Sequence, residues 1–169
     1  SRKKLSRYAE EAGRFFKEAK KPFFLSINYP DAHRPFIKSK GGLPADPLTA
    51  DQVKTMAYIG LESEGLRQQV ADYYNCMARL DALVGELLAK LKASGKYDDT
   101  LIVYLGDHGA DLIRGKRTCY EGGVRVPFIV RLPKGKPGQI RRELVSTLDL
   151  FPTFLEVSGA EAVNDLPGR

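Results

Sequence analysis

The sequence predicts an α/β fold, and three observations carry that prediction. Two stretches, 3–19 and 64–93, place apolar residues at three- and four-residue intervals, the period of a helix with one buried face. Three short apolar runs, "PFFLSIN" at 22–28, "LIVYL" at 101–105 and "VPFIVRL" at 126–132, have the length and composition of buried strands. The order along the chain is helix, strand, helix, strand, strand, helix, which implies a sheet with at least some parallel strands. At 169 residues and 43% hydrophobic, the chain has the length of one domain and enough apolar surface for a core.

The first helix rests on Leu5, Tyr8, Ala9, Ala12, Phe15, Phe16 and Ala19. After a lysine pair, the run at 22–28 delivers "YPDAHRPF" at its carboxyl end. Residues 37–54, "IKSKGGLPADPLTADQVK", are rich in Gly, Pro and polar residues that break both periodicities, so a long surface loop is expected. From about 64 to 93 a broad apolar face returns in Leu66, Val70, Tyr73, Tyr74, Met77, Leu80, Val84, Leu87, Leu88 and Leu91, and Gly95 is placed to cap this second helix. "LIVYL" runs straight into "GDHG", and "VPFIVRL" follows as the next strand. "STLDLFPTFLEVSGA", 146–160, combines a capping group, an early Pro152 and apolar spacing, so it reads as a final helix. There is no internal repeat or low-complexity segment. The chain starts inside helical sequence and stops at "NDLPGR" soon after a helix, so a piece of a larger protein is expected.

The formal net charge is +6, but the basic residues are dispersed and many stand beside acids, as in "EEAGRFFKEAKK". No aromatic RNA-binding motif or Cys/His finger accompanies them, which argues against a nucleic-acid partner, while the positive balance favours anionic substrates by long-range steering. No apolar run approaches the roughly 20 residues that span a bilayer, and the N-terminal stretch lacks a signal peptide's apolar centre, so no membrane partner is expected. The two cysteines, Cys76 and Cys119, form neither a disulfide framework nor a metal-knuckle spacing; helical spacing makes Cys76 a small core residue.

In open α/β sheets, ligands bind beyond the carboxyl ends of strands. Two such ends carry unusual polar residues here: Asp31, His33 and Arg34 after the run at 22–28, and Asp107 and His108 after the run at 101–105. A carboxylate and a neutral imidazole can share a divalent cation, and Gly106 and Gly109 would let the backbone bend around it. Taken alone, an Asp-His pair is more often a turn or a helix cap; that both histidines of the chain fall at strand ends shifts the balance toward a site. His33 reads equally as an exposed loop residue, but with Arg34 and Lys116 it would make a donor cluster suited to sulfate or phosphate. In "GKRTCYEGGVRVP", 115–127, the plain reading is a glycine turn with solvated Lys116 and Arg117; the sharper one lets Gly122 and Gly123 carry the backbone close beneath a site that Lys116 enters.

These stretches together resemble the type I sulfatases of the alkaline phosphatase superfamily. "PFFLSINYPDAHRPF" resembles the family's strand ending in a histidine-containing Asp-Pro-His segment, and "TLIVYLGDHG" its strand ending in Ser-Asp-His-Gly or Ser-Asp-Asn-Gly. "GKRTCYEGGVRVPFIV" resembles its Gly-Lys…Tyr-Glu-Gly-Gly-x-Arg-x-Pro segment, and "STLDLFPTFLEVSGA" is similar to its Asp-Leu-x-Pro-Thr helix. The four motifs run in the family's order over about residues 20–160, and the chain resembles an internal fragment of sulfamidase-like and iduronate-sulfatase-like members.

The resemblance implies an alkaline phosphatase-like sandwich, incomplete in this chain, with a mainly parallel sheet flanked by helices. It implies a parent enzyme that hydrolyses sulfate esters or N-sulfates on a sulfated small molecule or sugar, and that is often exported or lysosomal. Asp107 and His108 would be two ligands of a divalent cation, usually calcium in this family. His33 would hydrogen-bond the sulfate ester near its leaving oxygen, Lys116 would bind a sulfate oxygen, and Arg34 would reach the substrate as in sulfamidase-like members.

The departures define the rest of the expectation. The family's nucleophile is a formylglycine made from Cys-x-Pro-x-Arg or Ser-x-Pro-x-Arg, and neither string occurs here; the family's N-terminal aspartate pair is missing too. Residues 1–169 are therefore expected to be a partial catalytic domain lacking its nucleophile-bearing portion, inactive alone and weak in metal binding. Two other readings stand beside this one: a phosphonate monoester or phosphodiester hydrolase of the same superfamily, and a non-catalytic remnant that binds anions.

Overall fold

The structure, a computed structural model, describes residues 2–161 and 163–168. It divides into two compact units, Ser1–Gly135 and Lys136–Arg169. In the first, helix α1 (Arg2–Glu18) and helix α2 (Glu64–Ala93) pack together because each carries an apolar stripe at helical spacing. Ala12 and Phe16 of α1 meet Leu91 of α2 in one core cluster, with Phe23, Ile27, Tyr97 and Ile102 against it. A second cluster joins Ile59, Val70 of α2 and Leu112, and it lies under the loops that hold the candidate residues. The predicted cap of α2 at Gly95, and one at Ser63 that the sequence reading did not name, each have a physical cause. The Ser63 hydroxyl accepts from the Leu66 N–H at 3.2 Å, and Gly95 turns the chain away at φ +75°, a conformation that costs a side-chain-bearing residue more.

The sheet within the described residues is one antiparallel pair, β1 (Ile102–Leu105) with β2 (Phe128–Arg131), in register Ile102 to Arg131 and Leu105 to Phe128. A short helix α3 (Glu121–Val124) lies between them. The α/β class of the sequence prediction stands, whereas no parallel strand pair is found among the described residues. The run at 22–28 forms no strand. Phe23 and Ile27 lie against the first core cluster and Phe24 is exposed, and no neighbouring backbone among the described residues pairs with the run as a ladder would.

The 37–54 segment is irregular, as expected, but it is fastened. The Asn75 side chain, buried on α2, accepts from the Leu48 N–H at 2.7 Å and donates to the Leu48 carbonyl at 2.9 Å. Arg79, one turn further on, has a side chain only 1% exposed and forks onto Asp31 through Nε at 2.8 Å and Nη2 at 2.7 Å. Its Nη1 also donates to the Ile37 carbonyl at 3.0 Å. Cys76 is buried beside it, as predicted, and burial pushes its thiol pKa up. In the second unit, the Ser146 hydroxyl caps the turn that opens α4 (Leu150–Ser158), and Gly159 ends it at φ +71°.

Three outcomes are expected. Asp31→Ala leaves Arg79 as a buried unpaired cation and lowers stability by about 3–5 kcal/mol, measured by the denaturant midpoint. Gly109→Ala places a Cβ 1.8 Å from the Gly122 carbonyl oxygen, so the backbone must shift, at a cost of about 1–3 kcal/mol or more in the same measurement. Tyr29 donates to the Leu83 carbonyl at 3.4 Å, and burial, with smaller contributions from Glu86 and Tyr8, pushes its pKa from 10.0 to about 12. Because the folded pKa is the higher, its stabilising share is whole below pH 10.0 and is lost as pH rises through about 12. Tyrosinate absorbance should show a late-titrating component near pH 12 that is lost in Tyr29→Phe.

Candidate active site

The loop after β1 is built by close backbone contact. Gly106 N–H donates to the Pro127 carbonyl at 3.2 Å, extending the ladder one step past Leu105. Gly109 N–H then donates to the Gly123 carbonyl at 2.9 Å, so the "GDHG" turn lies directly on the "EGG" segment. A Cβ on Gly123 would come within 2.3 Å of the Thr118 carbonyl oxygen, which is why the glycine pair is required there. The sharper sequence reading of Gly122 and Gly123, a close backbone approach, is the one observed. Leu112 is buried in the second core cluster, and Lys116 N–H donates to the Ala110 carbonyl at 2.7 Å, closing the loop that carries Lys116.

Both histidines are held the same way. His108 Nδ1 lies 2.8 Å from the Gly109 carbonyl oxygen, and His33 Nδ1 lies 2.7 Å from the Arg34 carbonyl oxygen. A carbonyl only accepts, so each Nδ1 carries a proton and donates, and a ring without a second proton presents its Nε2 lone pair. His108 Nε2 stands 3.6 Å from Asp107 Oδ2. Two electron-rich atoms at that distance are a donor pair for a cation, and the Asp107 side chain is 89% exposed. Among the described residues, no group of three or more His, Cys, Asp or Glu side chains comes together.

Arg34 joins the two motif loops. Its Nε and Nη2 donate to the Asp111 carbonyl at 2.9 and 2.7 Å, Nη2 also donates to Gln69 Oε1 at 2.9 Å, and the Asp111 carboxylate lies 3.6 Å away. The guanidinium also stacks 4.8 Å from the Phe36 ring centroid. The His33 turn is thus brought against the loop that carries Asp107, His108 and Lys116, while Asp31 of the same turn faces the other way, into Arg79. Half-buried Lys116 and exposed His33 have no direct contact with the Asp107–His108 pair.

Beside these loops opens a cleft of about 430 Å³ lined by Met56, Tyr58, Tyr73, Ala110, Glu121, Gly122 and Arg125. Burial, the largest cause, raises the pKa of both the Tyr58 and Tyr73 phenols. Sequence reasoning missed Tyr58, Arg125, Asp111 and Gln69, and it placed Tyr73 on the apolar face of α2. The spacing marks that face correctly, but only the packed loops decide that one edge of it is left open.

With this geometry in hand, the chain matches the sulfatase family model over residues 5–160. An ulvan-active sulfatase from Formosa agariphila is 30% identical over 92% of this chain and 30% of its own length. The solved structure of Ps i-CgsB superposes with a TM-score of 0.72 at 30% identity, over 97% of this chain and 36% of that one. It has also been solved in complex with k-i-k-neocarrahexaose. The phosphonate monoester hydrolase SpPMH from Silicibacter pomeroyi gives a TM-score of 0.59 at 35% identity, over 64% of this chain and 22% of that one. The chain spans between 22% and 36% of the length of these relatives. The motifs, the alkaline phosphatase-like fold they build and the match across nearly all of its residues agree: the chain belongs to the sulfatase family.

Proposed function

We propose that the protein containing this chain is a sulfuric ester hydrolase acting on a sulfated saccharide or small molecule, and that this chain supplies the electrostatic half of its active site. The observation that carries this reading is the Arg34 bridge to Asp111, which holds the His33 turn against the loop of Asp107, His108 and Lys116. Family membership and the oligosaccharide complex of the Ps i-CgsB neighbour support the substrate class.

The donor chemistry fits part of a divalent-cation site. Asp107 offers a hard carboxylate oxygen and His108 an Nε2 lone pair oriented by its Nδ1–H bond, whereas calcium takes about six to eight oxygen ligands. The remaining ligands belong to other parts of the parent protein. When bound, such a cation, calcium by family precedent, neutralises charge on the sulfate oxygens. Lys116 binds a sulfate oxygen and offsets charge that develops during transfer. His33, its Nδ1 proton held by the Arg34 carbonyl, would in its protonated form donate through Nε2–H to the ester near the leaving oxygen and pass that proton to the departing alcohol. Arg34 positions His33, and its Nη1, which takes no part in the Asp111 and Gln69 bonds, reaches the substrate. No residue of this chain is assigned as nucleophile; a formylglycine outside these residues would supply that chemistry.

The SpPMH neighbour favours a second reading, in which the transferred group is a phosphonate ester. Kinetics on the full-length parent separate the two. An aryl sulfate turned over faster than a matched aryl phosphonate monoester is expected, with Lys116→Ala and Asp107→Ala each lowering kcat/KM by about 10²–10³. A reversed preference supports the phosphonate reading, and no turnover of either leaves an anion-binding remnant. The 169-residue chain alone is expected to be inactive.

A further inference from the structure

We propose that the cleft between Tyr58, Tyr73 and Arg125 is the subsite that holds the sugar ring of a sulfated saccharide. The inference rests on the sulfatase reading and assigns the part of the substrate that the charged residues leave unrecognised. Its position comes first. Ala110 of the cleft wall belongs to the Asp107–Lys116 loop, and Gly122 to the segment on which that loop lies. On the other side, the Phe36 ring that carries Arg34 packs edge-on to Tyr73, with centroids 5.5 Å apart. The cleft is therefore bordered by residues of the Asp107–Lys116 loop and of the segment beneath it, and through Phe36 it adjoins the turn that carries Arg34.

The lining matches a pyranose ring. A sugar offers apolar C–H faces and a rim of hydroxyls, and tyrosine offers an apolar ring face with a polar tip. Neither the Tyr58 nor the Tyr73 hydroxyl has a hydrogen-bond partner among the described residues, so both are open to ligand hydroxyls. At the rim, Glu121 and Arg125 form an exposed pair 3.7 Å apart, an acceptor and a donor set for further hydroxyls or a second anionic group. The Tyr58 ring is laid against the backbone at Gly122, where a Cβ would sit 2.5 Å from it; any side chain there would lift the ring and close the cleft. At about 430 Å³, the cleft falls within the range of about 300–1,000 Å³ of small-molecule sites.

Binding to the 169-residue chain tests this, and because the sequence has no tryptophan, tyrosine emission reports it directly. The probes are a carrageenan oligosaccharide, its desulfated counterpart and inorganic sulfate. Tyr73→Ala and Arg125→Ala should each weaken both oligosaccharides about tenfold and leave inorganic sulfate unchanged, with a smaller loss in Tyr73→Phe, which keeps the ring and removes the hydroxyl. Lys116→Ala should weaken the two sulfated probes and spare the desulfated one. Arg125 is exposed, so its variant keeps the test open if Tyr73→Ala fails to fold. Unchanged oligosaccharide binding in the Tyr73 and Arg125 variants, or no wild-type binding of the desulfated probe, overturns the subsite while the Lys116 effect on sulfate stands. If Lys116→Ala leaves inorganic sulfate binding untouched, the sulfatase reading fails and the subsite goes with it.

Discussion

The fork between Arg79 and Asp31 is the interaction on which the rest of this arrangement depends. A guanidinium this deeply buried is tolerable only when its donors are satisfied, and Asp31 takes two of them in parallel. The hydrogen bonds to Asp31, the largest cause, hold the Arg79 pKa above its ordinary value. Because Asp31 begins the turn that carries His33 and Arg34, the pair fixes where that turn leaves α2. The bond from Arg79 to the Ile37 carbonyl then starts the long loop in a set direction, and Asn75, four residues earlier on the same helix, clamps it at Leu48. One face of α2 thereby holds a segment with little regular structure of its own.

The second constraint is contact between backbones. "GDHG" and "EGG" come together so closely that Cβ atoms at Gly109 or Gly123 would overlap carbonyl oxygens, and Leu112 anchors the joined loops in the core under α2. Local bonding then sets the chemistry. Each histidine spends its Nδ1 proton on the carbonyl of the next residue, which orients the ring and leaves Nε2 as the acceptor. The Asp107 carboxylate and the His108 Nε2 then stand 3.6 Å apart at the exposed end of β1.

Arg34 links these two constraints. It stands on the turn held by Arg79 and Asp31, and it donates into the loop held by the glycines, so the candidate residues from distant stretches share one neighbourhood. Its stacking on Phe36, and that ring's contact with Tyr73, connect the charged loops to the aromatic cleft. Charge recognition and the proposed ring recognition are therefore adjacent because a single side chain spans both.

The sequence by itself determined the helices, the two paired strands, the cap at Gly95, and the residues at the ends of apolar runs, because helical periodicity, strand-like composition and capping chemistry are local. The four ordered motifs carried the family for the same reason, since each is a contiguous string. Tertiary structure alone decided that Asp31 leaves the site for Arg79, that the run at 22–28 joins no ladder among the described residues, and that Asp111 and Gln69 receive Arg34. It alone opened the cleft at Tyr58 and Tyr73. These outcomes depend on partners dozens of residues away, and a side chain's hydrogen-bond capacity states what it needs without saying which distant group will meet it.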